Sequence, residues 1–431
     1  MTGRPTSNVA IIGGGMAGLA AGIRLARGGV PVTVFERSAG SGGRARSTHE
    51  HGFDINLGPH ALYPGAEAAL AELGIHVEGG RPGTKGIALS SGRRHILPAG
   101  PGSILRSGYL GPRQKVRAGL AFKAVLETKP ESLRGRTLAD WIGEIGGDGK
   151  VRALLESYFR LGTYANAPHL LDAEIALRHF QDGAKGVLYA DGGWGRIADA
   201  MRRRLEQEGG TLRAGARIEA LAPGDGCWGL RLASGETFAA AGVIIATPPK
   251  DAAKLLEGCG PPAIAQELRS LIPATVATLD AGVARLPRPG ATLALGMDRP
   301  LYFQVHSAYA KLAGPGTHLL SAAMYLPVDE AVDPGAVREE LEAMMDGLQP
   351  GWRDLRLTDR FLPSLAASCA IPLAGKSLPA VDGAGLPGVY LAGDWVRSNT
   401  MLAESSLRSA HEASQLAARQ VRGHATLAAA I

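Results

Sequence analysis

The stretch that most constrains the fold is residues 8–36, NVAIIGGGMAGLAAGIRLARGGVPVTVFE. A short apolar run at 9–12 meets glycines, a helix-spaced stretch follows at 16–28 with Arg24 and Arg27 facing outward, and a β-branched run closes at 31–36. Strand, helix and strand within about thirty residues make the βαβ unit of a parallel sheet. The turn reads Gly13-Gly14-Gly15-Met16-Ala17-Gly18, a G-x-G-x-x-G directly after a strand. Gly13 permits the tight turn, Gly15 lets backbone approach a pyrophosphate, and Gly18 lets helix and strand pack closely, while Met16 and Ala17 open the helix whose N-terminus meets the anion. Glu36 ends the second strand, where a carboxylate accepts hydrogen bonds from ribose hydroxyls and repels a 2′-phosphate. An adenine dinucleotide other than NADP is expected.

Further segments repeat this character. In GGRARS, 42–47, Gly42 and Gly43 offer a second close approach of backbone, and Arg44 and Arg46 supply cations near a pyrophosphate. Residues 189–221 read as turn, amphipathic helix, Gly-Gly stop and strand, and GVIIATPP, 242–249, as a buried strand ended by prolines. GVYLAGDWV, 388–396, contains a last strand, and a helix of about twenty residues is expected to begin near Met401.

These motifs, in this order, resemble the amine oxidase superfamily of flavoproteins, which includes monoamine oxidases, protoporphyrinogen oxidases and phytoene or squalene-type desaturases. The resemblance implies non-covalent FAD. It implies a cofactor-binding set of Gly13, Gly15, Met16, Ala17, Gly18, Glu36, Arg37, Gly43 and Arg44, with Arg217 and Ile218 on the strand against the adenine and Ala246 in the Ala-Thr-x-Pro strand. Gly393 and Asp394 would contact the ribityl or phosphate groups, Met401 and Leu402 start the last helix, and Gly58, Pro59 and His60 follow where the family places residues near the flavin. A structural histidine is the simpler reading of His60. The family's Glu-Gly-Ala and Ser-Gly in the last helix are here Glu404-Ser405-Ser406 and Ser409-Ala410.

The fold expected is α/β: a Rossmann-like FAD-binding domain with a parallel sheet, at 1–86, 187–270 and 363–431, interrupted by an α+β substrate-binding domain at 87–186 and 271–362. Within the latter, 137–183 reads as mostly helical, 334–347 as a helix, and 275–285, 301–309 and 318–326 as strands.

No second G-x-G-x-x-G follows a strand, so electrons are expected from an organic substrate and not from NAD(P)H, with oxygen or a quinone as acceptor. Hydride removal needs no acid or base in its first step, and no G-x-S-x-G, H-E-x-x-H or clustered His/Asp/Glu is present, so no catalytic residue is assigned. His49 and His51 flank Glu50 in what reads as a solvated loop, and no metal site is expected. Tyr302, Phe303, Gln304 and His306 alternate along a strand that either floors a cavity or packs in the core. Amine oxidases of the superfamily flank the flavin with an aromatic pair, one member near the C-terminal motif. Here no Tyr or Trp lies between Phe361 and Val389, which favours an apolar, isoprenoid or tetrapyrrole-like substrate. The residues around Cys369 do not match a covalent flavin attachment. Two alternatives stay open: a flavin amine oxidase proper, and a non-catalytic binder of lipidated partners like the Rab GDP-dissociation inhibitors.

Arginine outnumbers lysine 36 to 10 in a chain of formal charge +6, a bias that GC-rich coding explains without nucleic acid, and no RNP, zinc-finger or homeodomain pattern accompanies it. The charge is concentrated: 91–136 contains ten Lys/Arg and two Glu, a local +8, in which Ile104, Leu105, Tyr109, Leu110, Val116, Leu120 and Phe122 are interleaved with Arg106, Arg113, Lys115, Arg117 and Lys123. Such a segment suits either peripheral contact with an anionic leaflet or a solvated helical lid. Cys227, Cys259 and Cys369 form no Cys-x-x-Cys pair, no signal-peptide h-region precedes residue 9, and no long apolar run suits a spanning helix. The expected location is cytoplasmic, with the membrane's cytoplasmic face open as a docking surface.

Overall fold

The computed structural model describes residues 7–58, 60–147 and 149–429. The opening stretch forms β1 (Val9–Ile12), α1 (Met16–Arg27) and β2 (Val32–Phe35). β1 is buried throughout, as a parallel strand covered on both faces must be, and it pairs in parallel with β2, Val9 beside Val32 and Ile12 beside Phe35. On its other side β1 pairs in parallel with Gly242–Ile245, which pairs in parallel with Val389–Leu391, while Thr211–Arg213 adds outside β2. The five-stranded parallel sheet is therefore assembled from three distant stretches of chain. Helix α1 packs between this sheet, Gly193–Gln207 and the C-terminal helix Leu402–Ala429.

A seven-stranded mixed sheet stands beside it, in the order Arg356–Ser368, Ala274–Val283, His318–Tyr325, Leu301–Val305, Leu293–Gly296, Ile87–Ser90, Arg93–Ile96. Val337, Leu341 and Met345 of helix Pro334–Leu348 cover one face. Leu138, Leu154, Phe159 and Leu177, from the helices between 101 and 183, bury the other with Val276, Leu295 and Tyr302.

Several boundaries differ from expectation. The break expected at 362/363 falls inside Arg356–Ser368, which continues to residue 368 because Pro363 lies on an edge strand beside a register shift, where a missing N–H is tolerated. Of the segment 211–247 only the two ends join the parallel sheet; Ile218–Pro223, Trp228–Leu232 and Thr237–Ala240 form an antiparallel sheet of their own. The strand expected over 301–309 stops at Val305, and His306–Ala308 turn into a 3-10 helix. The last helix runs 28 residues, longer than expected, because no proline interrupts it between Leu402 and Ala429. Among the described residues no helix is long and apolar enough to cross a membrane.

Candidate functional site

A cavity of about 680 Å³ begins at the C-terminal ends of β1 and β2 and reaches the seven-stranded sheet's side of the molecule, the position where open parallel sheets bind ligands. Its first wall is the glycine turn. Gly13 has φ +111°, and a Cβ there would lie 2.6 Å from the carbonyl oxygen of Ala246. A Cβ on Gly18 would come within 1.9 Å of the Gly13 carbonyl oxygen, so helix and turn touch backbone to backbone. A Cβ on Gly15 would meet nothing within 4 Å: it would stand in the cavity. Gly15 caps α1 without a side-chain hydrogen bond, and the first turn carries no acid, so its N–H groups are available to an anion. The Gly42 N–H donates to the Gly14 carbonyl at 2.7 Å, bringing Gly43 beside Gly15.

Glu36 is buried at the end of β2 and accepts from the N–H groups of Gly14 and Ser38, each at 2.8 Å. Each oxygen keeps a lone pair for another donor. Arg37 pairs with Asp251 at the cavity mouth, 3.0 Å apart. Arg217, Ile218 and Ala246 line the same end. There the Thr247 hydroxyl is buried without a partner among the described residues.

Midway, Arg44 and Asp394 form two parallel hydrogen bonds of 2.8 and 2.7 Å across 350 residues of sequence. Arg44 also donates to the Ala367 carbonyl, and Asp394 accepts from the Cys369 N–H. Burial works against the Asp394 carboxylate, but the Arg44 charge outweighs it and holds the group below the usual carboxylate range. Arg44 is likewise disfavoured by burial and raised by Asp394, and its exposed edge faces the cavity. Burial pushes the Cys369 thiol up to about 12, with Asp394 adding to it, so it stays protonated at neutral pH. Gly393, at φ +151°, leads into Asp394, and its N–H donates to the Ser409 hydroxyl at 3.0 Å. Ser409, the serine that the Ser-Gly pair of the family also has, thus ties the last helix to the strand end.

Of the far wall only Met401 and Leu402 were expected from the sequence. Tyr63 and His179 both direct a polar group at the Gly162 carbonyl, at 3.0 and 3.2 Å, and their rings lie 4.2 Å apart. Burial lowers His179 to about 4, so its ring is neutral. Tyr164, at φ +59°, and Leu402, at φ +57°, complete the wall with Met401 in a left-handed conformation that non-glycine residues hold only against strain, on the order of 1–3 kcal/mol. Behind them the Tyr302 hydroxyl meets His306 Nε2 at 3.2 Å, and His306 stacks on His60 at 4.1 Å. His60 is therefore a packing residue and not part of the lining, as is Gly18, while Pro59 lies outside the described residues. Tyr302, Phe303, Gln304 and His306 are all buried and do not line this cavity; the first and last back its far wall. Tyr63, Tyr164 and His179 come from separate segments, so no local pattern announces them.

A profile of flavin containing amine oxidoreductases matches residues 16–418. The chain belongs to that family. Among its curated relatives, the hydroxyneurosporene desaturase of Cereibacter sphaeroides is 26% identical over 298 residues, covering 58% of this chain and 57% of the relative. The hydroxysqualene dehydroxylase of Rhodopseudomonas palustris is 28% identical over 285 residues, 62% of this chain and 67% of the relative. The chain thus matches little more than half the length of the first of these. In fold it is similar to a putative protoporphyrinogen oxidase from Exiguobacterium, with a TM-score of 0.73 at 17% identity, covering 97% of this chain and 100% of the other. Wild-type putrescine oxidase bound to putrescine gives a TM-score of 0.70 at 15% identity, with 95% and 98% covered.

A flavin is what this amine oxidoreductase family contains, and the cavity fits one. Gly15 leaves open space where a Cβ would intrude, the α1 N-terminus is free of side-chain caps, Glu36 has acceptor capacity left, and the Thr247 hydroxyl lacks a partner.

Proposed function

We propose that this chain is an FAD-dependent oxidoreductase that removes hydride from an apolar, isoprenoid-like substrate and passes the electrons to oxygen or a quinone. The observation that carries this reading is the change of chemistry along one cavity. Its near half offers the glycine turn, Glu36 and the Arg44–Asp394 pair, and its far half offers Tyr63, Tyr164, the neutral His179, Met401 and Leu402. Glu404, which also lines the cavity, is ion-paired with Arg408, and the aromatic and aliphatic side chains around it favour a neutral ligand over an ammonium ion. The desaturase and dehydroxylase named among the relatives support an isoprenoid in particular.

In this reading Gly13, Gly15 and the first turn of α1 hold the pyrophosphate, Glu36 accepts from the ribose, and Arg217, Ile218 and Ala246 border the adenine. Arg44 neutralises phosphate charge while Asp394 keeps its guanidinium in plane. When bound, FAD supplies a two-electron acceptor for the substrate's C–H bond. The chain's own part is to bind, orient and keep water out: Tyr63 and His179 are held on the Gly162 carbonyl, and the strained Tyr164 and Leu402 backbones set the far wall against the cofactor's expected end. A protonated Cys369 supports non-covalent binding, since the thiolate is the nucleophile. Acid precipitation tests this directly: all flavin is expected in the supernatant, from wild type and Cys369→Ser alike, and flavin left on the wild-type pellet would contradict it.

A further inference from the structure

Helix Pro112–Glu127 buries Ala118, Ala121 and Val125 against the helical block. With 3.6 residues per turn, the side of the helix opposite that stripe carries Val116 and Leu120, with Leu126 on its flank. They are 67%, 64% and 62% exposed, and Leu105 on the preceding helix Pro101–Arg106 is 70% exposed. Single exposed apolar side chains are ordinary on a soluble protein. Here four of the most exposed large ones among the described residues share one helix pair.

Cations surround them. Lys115 donates to the Leu105 carbonyl, joining the two helices, Arg117 donates to the carbonyls of Glu144 and Gly146, and Arg106 to that of Gly102. Bound to carbonyl oxygens, these groups keep their charge. Arg106, Arg113, Lys115 and Arg117 have no carboxylate within ion-pair distance among the described residues, unlike Lys123, which reaches Glu127 at 3.9 Å. A solvated lid has no use for a large aliphatic stripe, and a nucleic-acid surface would present stacking aromatics where this one presents Val and Leu. Aliphatic side chains framed by uncompensated cations match an anionic lipid surface.

On its packed side the same helix is linked to the cavity's far wall. Phe122 meets Tyr158 edge-on at 5.6 Å, and Tyr158 lies on helix Lys150–Thr163, whose C-cap is Tyr164 of the far wall. Six residues at a helix's rise place the two tyrosines about 9 Å apart along its axis.

We propose that the outer face of Pro101–Arg106 and Pro112–Glu127 docks on an anionic phospholipid leaflet, with Leu105, Val116, Leu120 and Leu126 in the headgroup–acyl boundary and Arg106, Arg113, Lys115 and Arg117 against lipid phosphates. Its use in collecting an apolar substrate rests on the functional reading above; the docking does not.

The test is co-sedimentation of the flavin-loaded protein with vesicles of phosphatidylcholine alone or mixed with phosphatidylglycerol, at low and high salt, without substrate. Binding is expected to the mixed vesicles, weakening about ten-fold or more in high salt as the cations are screened. Arg113→Gln should lower the partition coefficient about five-fold, and Val116→Asp with Leu120→Asp should abolish binding, while flavin absorbance and thermal midpoint stay at the wild-type level. Equal sedimentation with neutral vesicles, no sedimentation, or an unaffected double variant would overturn the proposal. So would a wild-type dimer that the double variant converts to monomer, which would seat a second copy on this face. Failure of isoprenoids to reduce the flavin would overturn the substrate reading and leave the sedimentation result standing.

Discussion

At the residue scale, the Arg44–Asp394 pair joins the beginning and end of the chain inside the cavity, and its two members depend on each other. Asp394→Ala leaves a guanidinium that is 34% exposed without its counter-charge and its two hydrogen bonds, and should destabilise by about 1–3 kcal/mol. A lower thermal midpoint and loss of visible flavin absorbance are expected together. Arg44→Lys keeps the charge and loses the two-pronged geometry, so it should retain the fold and bind less flavin. His179 gives the pH dependence. An unfolded histidine titrates near 6.5 and the buried ring near 4, so between these values the unfolded chain holds the extra proton. Stability is therefore full above about 6.5 and falls towards pH 4, by up to about 3 kcal/mol from this group. Denaturant titrations across that range should show the slope reduced in His179→Gln, and an equal slope would contradict the burial argument. Both pair members were legible from motifs, yet not their bond to each other, because a contact across 350 residues leaves no local pattern. His179 was not legible at all: its role comes from sharing the Gly162 carbonyl with Tyr63, a residue 116 positions away in sequence.

At the scale of elements, the turn between β1 and α1 separates two roles that a fingerprint merges. A methyl on Gly18 collides with backbone, whereas one on Gly15 enters open space. Gly18→Ala should destabilise the protein, on the order of 1–3 kcal/mol. Gly15→Ala should fold with a wild-type thermal midpoint in the absence of FAD and fail to take up the cofactor. Equal flavin content in Gly15→Ala and wild type, measured by absorbance ratio, would remove the pyrophosphate assignment. The parallel strands and α1 were readable because burial on both faces enforces continuous apolar runs. The edge strand Arg356–Ser368 was not, since its exposed side and Pro363 imitate a loop, and the end of Leu301–Val305 was masked because no glycine or proline interrupts the sequence before Gly314.

At the scale of the molecule, the seven-stranded sheet is fastened to the two-stranded pair Ser47–Glu50 and Phe53–Asn56, which follows the second glycine turn, by Arg360: it ion-pairs with Asp280 at 3.0 Å and donates to the carbonyls of Ile55 and Asn56. The Phe53 ring packs so closely on Gly282 that a Cβ there would lie 2.5 Å away. Arg360→Leu strands the Asp280 carboxylate, which is 1% exposed, and should lower stability by about 3–5 kcal/mol in a calorimetric scan. This joint was invisible in the sequence because it depends on how two layers meet. The same junction places the glycine turn at one end of a cavity and Tyr63, Tyr164 and His179 at the other. The measurement that bears most directly on this arrangement is the visible spectrum of the FAD-loaded protein under anaerobic conditions as isoprenoid hydrocarbons and primary amines are added in turn. Bleaching of the flavin by an isoprenoid and not by amines is the predicted result; bleaching by amines alone, or a protein that never acquires a flavin spectrum, would contradict it.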